Sequence, residues 1–510
     1  MDIKKKIEQI VVSAQQMRDI EGRIFAAGMP VAALMEKVGL AIAHRLTEIF
    51  PPQRIGVLVG SGHNGGDALV VARELHYRGY KVVYFSPFSQ HKELTNSHAQ
   101  YAESLGIERC DRIEKLLTES DLLIDGLFGF GLERDVTGEI AKAVDRVNQS
   151  SLPVISIDLP SGLHTDTGEV LGIAIKATYT FCLGLWKLGL LQDRALDYVG
   201  KAQLIDFDIP LADIYAVLGE TPRIRRITKE FAIANLPLHR LPVTHKYQQG
   251  HLLLICGSAR YAGGAILAGL GARASGVGML SIAVPESLKP LLVAQLPEAL
   301  IIGCPETELG AISQLKLPAK TNLDSFDAIS CGPGLTIEAT PIIQEVLHCN
   351  CPLILDADGL NILAELETIP TLAQRQGATI LTPHTGEFKR LFPDLGDLER
   401  LDVTTAAKTS KAVVLLKGAR TAIASPDGIV WINPESTPAL ARGGSGDVLT
   451  GLMGGLVAQQ ASQSLDEIAA IAAWWHSQAG IKAAEIRTQM GVDAFTLTHY
   501  LLPVLSEFKM

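Results

Sequence analysis

The segment Gly443-Gly444-Ser445-Gly446-Asp447-Val448-Leu449 sets glycines directly ahead of an apolar helical pattern. Glycines there leave backbone N–H groups free to hold a developing phosphoryl charge, aided by the partial positive charge of a helix start. Asp447, just inside, could take the proton of an attacking hydroxyl. Three earlier segments place polar groups after apolar strand-like runs. Leu355-Asp356-Ala357-Asp358-Gly359-Leu360-Asn361 carries two carboxylates. Thr382-Pro383-His384-Thr385-Gly386-Glu387 carries an imidazole and a carboxylate. Lys417-Gly418-Ala419-Arg420-Thr421 puts cations beside glycine, where a nucleotide could lie. His384 alone fits a structural histidine; in this series it reads as a substrate contact.

A second polar set lies in the first half. Gly60-Ser61-Gly62-His63-Asn64-Gly65-Gly66-Asp67 follows one strand pattern and precedes a helical one, Ala68–Arg78. The spacing fits G-x-G-x-x-G. The acidic residue that dinucleotide sites place about twenty positions further on is missing, because the next strand runs into Ser86 and Pro87. A standard nicotinamide dehydrogenase is therefore not expected. Asp125-Gly126-Leu127-Phe128-Gly129-Phe130-Gly131 and Ile157-Asp158-Leu159-Pro160-Ser161-Gly162 end two more strands. Asn64, Asp125 and Ser161 offer oxygen donors suited to a hard cation. Asp158 is an acid/base candidate, with turn capping as its competing role.

These residues need strand tips and helix starts to hold them. Ser13–Phe50 reads as one or two helices. Strand cores follow at Arg54–Gly60, Lys81–Phe85, Leu122–Asp125, Pro153–Asp158, Tyr179–Leu183 and Ala202–Phe207. The pattern restarts at Leu252–Cys256, Met279–Ala283, Ala328–Ser330, Leu353–Asp356, Thr379–Thr382 and Val413–Lys417, with helices at Gly446–Leu456 and Ile468–His476. Such alternation predicts α/β architecture, with parallel sheets covered on both faces. The predicted domains are 1–222 and 229–510, with a linker near 211–228. Their motifs differ, so no internal duplication is expected.

At 510 residues, two domains are the natural count. The net charge is −10 and no Lys/Arg cluster could track a phosphodiester backbone, so nucleic acid is not an expected partner. The seven cysteines are scattered, which argues against a disulfide framework. Cys349 and Cys351 form a C-x-C, but no second pair or His partner completes a zinc site, so buried thiols are expected. The apolar stretch Gly263–Val284 is interrupted by Arg273. No membrane association and a cytoplasmic location are expected.

The G-x-G-D arrangement at Gly444–Asp447 resembles the anion hole and base of ribokinase-like kinases. Over nearly its whole length the chain resembles the bifunctional NAD(P)H-hydrate repair enzymes. These join an NAD(P)HX epimerase domain to an ADP-dependent (S)-NAD(P)HX dehydratase domain. The carriers are HNGGD (His63–Asp67), DGLFGFGL from Asp125, SIDLPSG from Ser156, LDADGLN from Leu355, TPHTGEF from Thr382, KGART from Lys417 and ARGGSGDVLTG from Ala441. The resemblance implies a Rossmann-like αβα sandwich followed by a ribokinase-like αβα domain.

It further implies that the hydrated cofactor meets His63, Asn64, Gly65, Gly66, Asp67, Gly129, Phe130, Gly131, Leu132, Glu133, Arg134, Asp135 and Asp158 in the first domain. Asn64, Asp125 and Ser161 would hold potassium. In the second domain, Ala265, Gly334, His384 and Asp447 would contact substrate. Lys417, Gly418, Ala419, Arg420, Thr421 and Gly446 would hold the nucleotide. The implied substrates are NADHX and NADPHX. ADP is the implied phosphoryl donor, with magnesium, and AMP and phosphate are products. Assembly into homo-oligomers is also expected. The chain departs from the family pattern at His63 and Ala68, usually Asn and Gly, and at Lys37-Val38, usually Asn-Ala. These departures keep open a second reading: a small-metabolite kinase fused to a non-catalytic binding domain.

Overall fold

Short strands buried on both faces pair in parallel and need helices above and below. The computed structural model, which describes residues 3–395, 402–459 and 463–507, shows this twice. The chain forms two compact units, Met1–Ile224 and Arg225–Met510.

In the first unit, seven described strands form one sheet. Its order is Glu108–Arg109, Lys81–Phe85, Arg54–Val59, Leu122–Gly126, Val154–Ile157, Tyr179–Leu183 and Lys201–Ile205. Every pairing is parallel. The chain direction of travel across the sheet reverses between Arg54–Val59 and Leu122–Gly126, which are neighbours. Connections leave these two strands in opposite directions, opening a crevice at their carboxyl ends where ligands of such sheets sit. The long early helical pattern is two helices, Ala14–Ala26 and Val31–Ile49, the first capped by Ser13.

One boundary differs from expectation. The helix after the first strand starts at His63, not Ala68, so His63-Asn64-Gly65-Gly66-Asp67 is its first turn. The cause is close packing. A side chain at Gly65 would lie 2.1 Å from the Gly60 carbonyl oxygen, and one at Gly66 would strike Met35. Glycine lets the helix begin against the strand it has just left.

The second unit carries a ten-stranded sheet. Seven strands are parallel: Val413–Leu416, Thr379–Leu381, Leu353–Leu355, Ala328–Cys331, His251–Ile255, Met279–Pro285 and Leu300–Cys304. Ala422–Ala424 adds antiparallel to Val413–Leu416, Val430–Ile432 adds antiparallel to Ala422–Ala424, and Ile224–Arg226 closes that edge. The linker region is thus structured: it holds helix Leu211–Leu218 and this edge strand. Buried beneath the sheet runs helix Ser445–Gln459, packed on helix Ala262–Ala274. A side chain at Gly451 would fall 1.8 Å from the Ala268 carbonyl oxygen, so glycine sets how closely the helices approach. Among the described residues, no single helix is long and apolar enough to cross a membrane.

Candidate functional site

In the second unit, the strand tips named from sequence converge on the start of helix Ser445–Gln459. Gly444 adopts φ +90°, open to glycine but strained for other residues, and turns the chain into the helix. His476, buried on helix Leu465–Arg487, donates from Nε2 to the Ser445 carbonyl oxygen at 3.0 Å and steadies this turn. Burial pushes its pKa down to about 4, so it acts as a neutral donor.

Lys417 Nζ lies 2.7 Å from Asp356 Oδ1 and 3.9 Å from Glu387 Oε2. The other oxygen of Asp356 accepts from Thr450 Oγ1 at 2.6 Å. A side chain at Gly446 would sit 3.5 Å from Lys417 Nζ, and one at Gly264 would sit 3.2 Å from Asp447 Oδ2. Glycine at both positions keeps the space around Lys417 and Asp447 open. Burial pushes the Asp447 carboxyl up to about 7; Asp356 adds to this and Lys417 opposes it. A carboxyl titrating near neutrality suits a general base.

His384 has a defined structural role. It caps helix Thr385–Leu391, its Nδ1 accepting from Gly386 N–H at 2.9 Å and Glu387 N–H at 3.3 Å. The His384 backbone N–H donates to Glu387 Oε2 at 2.8 Å. With Nδ1 accepting, the neutral ring carries its proton on Nε2, on a side chain that is 56% exposed and can still reach a ligand. Both roles weighed from sequence are thus compatible. Gly334 adopts φ +67° after strand Ala328–Cys331, and Ala265 is fully buried on helix Ala262–Ala274. Gly418, Ala419, Arg420 and Thr421 form the turn between Val413–Leu416 and Ala422–Ala424, with Gly418 and Ala419 exposed.

In the first unit, the crevice holds a cavity of about 690 Å³. Its wall includes His63, Asn64, Asp67, Asp158 and the run Gly129–Arg134. Asp135 is exposed and falls outside this wall, and Gly65 and Gly66 are buried behind it. Asp158, at φ +70°, is held in a strained conformation at its strand tip. Its Oδ2 accepts from Phe130 N–H at 2.9 Å. Its Oδ1 pairs with Lys187 Nζ at 2.6 Å, both side chains being nearly inaccessible. Burial works against the Lys187 charge, yet Asp158, then Cys182, hold its pKa above the ordinary lysine value.

Lys187 and Glu21 also line the cavity, and sequence reasoning missed both. Lys187 lies beyond the last recognised motif, on a two-residue strand, Trp186–Lys187, paired with Val11–Val12. Glu21 lies on helix Ala14–Ala26, where the pattern reads as surface. Burial pushes Glu21 up to about 7, with Lys187 opposing and Asp158 adding. Asp67 is pushed up by burial, then by Asp158 and Glu21. The cavity thus couples the Glu21, Asp67 and Asp158 carboxyl groups to one another, with the buried Lys187 cation beside Asp158.

Asp125 lies below, fully buried. It accepts from Ser161 Oγ at 2.6 Å, Ser161 N–H at 2.9 Å, Ser156 Oγ at 2.7 Å and Leu127 N–H at 3.2 Å. Asn64 Nδ2 donates to the Ile157 carbonyl oxygen at 3.4 Å. A side chain at Gly129 would sit 3.2 Å from Asn64 Oδ1 and 3.3 Å from Asp158 Oδ2. Asn64, Asp125 and Ser161 carry oxygen atoms of the kind a hard cation takes, and in this structure those of Asp125 are engaged by Ser161, Ser156 and Leu127.

Lys187→Met leaves the Asp158 carboxylate buried without its cation. Removing one partner of a buried pair destabilises by about 3–5 kcal/mol. We expect a correspondingly lower urea midpoint for the first unit's transition in the full chain. A shift no larger than that of an exposed Lys→Met variant would show that water, not Lys187, compensates Asp158.

Two α/β units, each with a polar site at the carboxyl edge of a parallel sheet, define a two-site enzyme of nucleotide chemistry. Residues 252–502 match the family described as NAD(P)H-hydrate dehydratase, and residues 31–189 match the YjeF-related protein N-terminus. The bifunctional NAD(P)H-hydrate repair enzyme of Synechocystis sp. is 54% identical over 502 residues, covering 98% of this chain and 95% of its own. That of Thermosynechococcus vestitus is 53% identical, covering 97% of each chain. The solved ADP/ATP-dependent NAD(P)H-hydrate dehydratase of Bacillus subtilis, co-crystallised with ATP/Mg2+, is 33% identical. It covers 55% of this chain and 98% of its own, with a TM-score of 0.47. The chain belongs to the bifunctional NAD(P)H-hydrate repair enzyme family.

Proposed function

We propose that the second unit dehydrates the S form of hydrated NADH and NADPH at the expense of ADP, and that the first unit interconverts the R and S forms. The observation that carries the dehydratase reading is the Asp447 carboxyl, titrating near neutrality beside the open glycines at 264 and 446 and the Lys417–Asp356 pair.

Hydroxide is a poor leaving group, whereas phosphate is a good one. Asp447 takes the proton of the C6 hydroxyl. That oxygen attacks the terminal phosphoryl group of ADP, and AMP leaves. The ring-nitrogen lone pair then expels phosphate, and loss of the C5 proton restores the double bond. The N–H groups at Gly444–Gly446 stabilise the transferring charge. Lys417 and the Gly418–Thr421 turn hold the nucleotide, while Gly334 and the His384 Nε2–H face the hydrated ring; Ala265, with no accessible surface, does not reach it. Asp356, Asp358 and Glu387 supply oxygen donors suited to magnesium, which would neutralise phosphate charge.

In the first unit, Asp158 is the acid/base group facing the substrate. His63, Asn64, Asp67 and the Gly129–Arg134 run enclose the hydrated cofactor. Asn64, Asp125 and Ser161 would hold potassium, whose positive charge would steady the loops around Asp158. Lys187 keeps Asp158 oriented, and Glu21 can hold or release a proton near neutral pH.

Incubation with ADP and hydrated NADH tests the dehydratase directly. We expect inorganic phosphate and AMP in equal amounts with reduced cofactor. A stable phosphorylated product would instead support the kinase reading. The pH profile gives a second test. Asp447 must be ionised to act as a base, and its carboxyl titrates near 7. The turnover rate should therefore rise with pH to a plateau above about 7 and fall roughly tenfold per unit below it. A plateau extending down through the ordinary carboxylate range would remove Asp447 as the titrating base.

A further inference from the structure

The second unit carries a side-chain cluster that neither reaction uses. Cys349 and Cys351 lie on the loop between helix Thr340–Leu347 and strand Leu353–Leu355, both buried, with their sulfurs 3.5 Å apart. Asp324 sits on the turn Leu323–Ser325, just before Ala328–Cys331, the parallel neighbour of Leu353–Leu355. That pairing carries the Asp324 carboxylate to the thiols. One carboxylate oxygen and the two sulfurs all lie within 4.8 Å of one another. The Asn350 N–H, between the cysteines, donates to Asp324 Oδ1 at 2.7 Å and fixes the arrangement. Arg375 braces the loop. Its Nη1 donates to the carbonyl oxygens of Val346 and Leu347 at 3.1 Å and of Cys349 at 2.6 Å, and lies 3.8 Å from Cys349 Sγ. Its Nη2 donates to the Cys351 carbonyl oxygen at 2.5 Å.

We propose that Cys349, Cys351 and Asp324 form a binding site for a thiophilic divalent cation of the zinc class. Tetrahedral zinc with bonds of about 2.3 Å to sulfur sets two thiolates about 3.8 Å apart, close to the spacing here. The pair needs only a small separation to accept the ion. Two thiolates and a carboxylate on a divalent ion leave a net negative charge. The Arg375 guanidinium compensates it and directs an N–H at sulfur, as outer partners of metal ligands do. The C-x-C spacing alone shows no third ligand; parallel pairing of the two strands supplies Asp324. The site lies at the amino edge of the sheet, away from Asp447 at the carboxyl edge. A bound ion would join the loops entering two adjacent core strands and stabilise this unit by mass action.

Cadmium, which reports thiolate ligation through an ultraviolet charge-transfer band, is the probe. The reduced full-length chain should take up a single saturating equivalent with that band. The Cys349→Ser/Cys351→Ser variant should lose it, although five other cysteines remain. Asp324→Asn changes an exposed residue and leaves both thiols in place; it should keep the band and bind at least about tenfold more weakly. Absence of a saturable band, persistence of the band in the double variant, or unchanged affinity in Asp324→Asn would each overturn the site. If the double variant does not fold, the Asp324→Asn affinity decides alone.

Discussion

Asp447→Asn should lower the rate of (S)-hydrate dehydration by about 10²–10⁴-fold, the range for loss of a positioned general base, while AMP should bind nearly as before. The substitution keeps side-chain volume and removes the proton-accepting oxygen. The groups assigned to the nucleotide stay in place, because Lys417 is held by Asp356 and Glu387 rather than by Asp447. Turnover should be followed as recovery of reduced-cofactor absorbance with saturating ADP, and AMP affinity by calorimetry. The two readouts separate chemistry from assembly. Normal turnover removes Asp447 from the mechanism. Parallel loss of turnover and AMP affinity would make it a binding residue instead.

Asp158→Asn should slow R-to-S conversion by about 10²–10⁴-fold, again the scale of one acid/base group. Dehydration of pure S hydrate by the same chain should stay unchanged, since it belongs to the second unit. Asparagine can still accept from Phe130 N–H, which preserves the local turn. It cannot balance the buried Lys187 charge, so some loss of stability in the first unit is also expected. Intact dehydration controls for unfolding of the second unit, and circular dichroism for that of the first. Unchanged R-to-S conversion would dismiss Asp158 and turn attention to Glu21, a second cavity carboxyl, which burial pushes up to about 7.

Much of this was legible in the residues themselves. Apolar runs ending in aspartate or glycine, such as those before Asp125, Asp158 and Asp356, marked strands and the polar tips proposed for the sites together. A buried parallel strand leaves few other places for polar groups. Short strands such as Glu108–Arg109 and Trp186–Lys187 were not legible, since two residues carry no periodicity. Lys187 was lost with its strand. Glu21 was hidden differently: its burial comes from a cavity formed by distant segments, and its own helix looks amphipathic. The early start of the helix at His63 was missed because glycines read as loop, whereas here they permit contact with Gly60. Asp324 joined Cys349 and Cys351 only through strand pairing, which no local spacing records.

The central claim is that one chain both equilibrates and clears the two hydrate epimers. Its most direct test is a mixed R and S NADH hydrate incubated with excess ADP, magnesium and potassium, following reduced-cofactor absorbance to completion. Recovery of the whole pool, with one AMP and one phosphate per cofactor restored, is the predicted result. Recovery that halts at the S fraction would contradict the epimerase assignment. Consumption of ADP without any reduced cofactor would contradict the dehydratase itself.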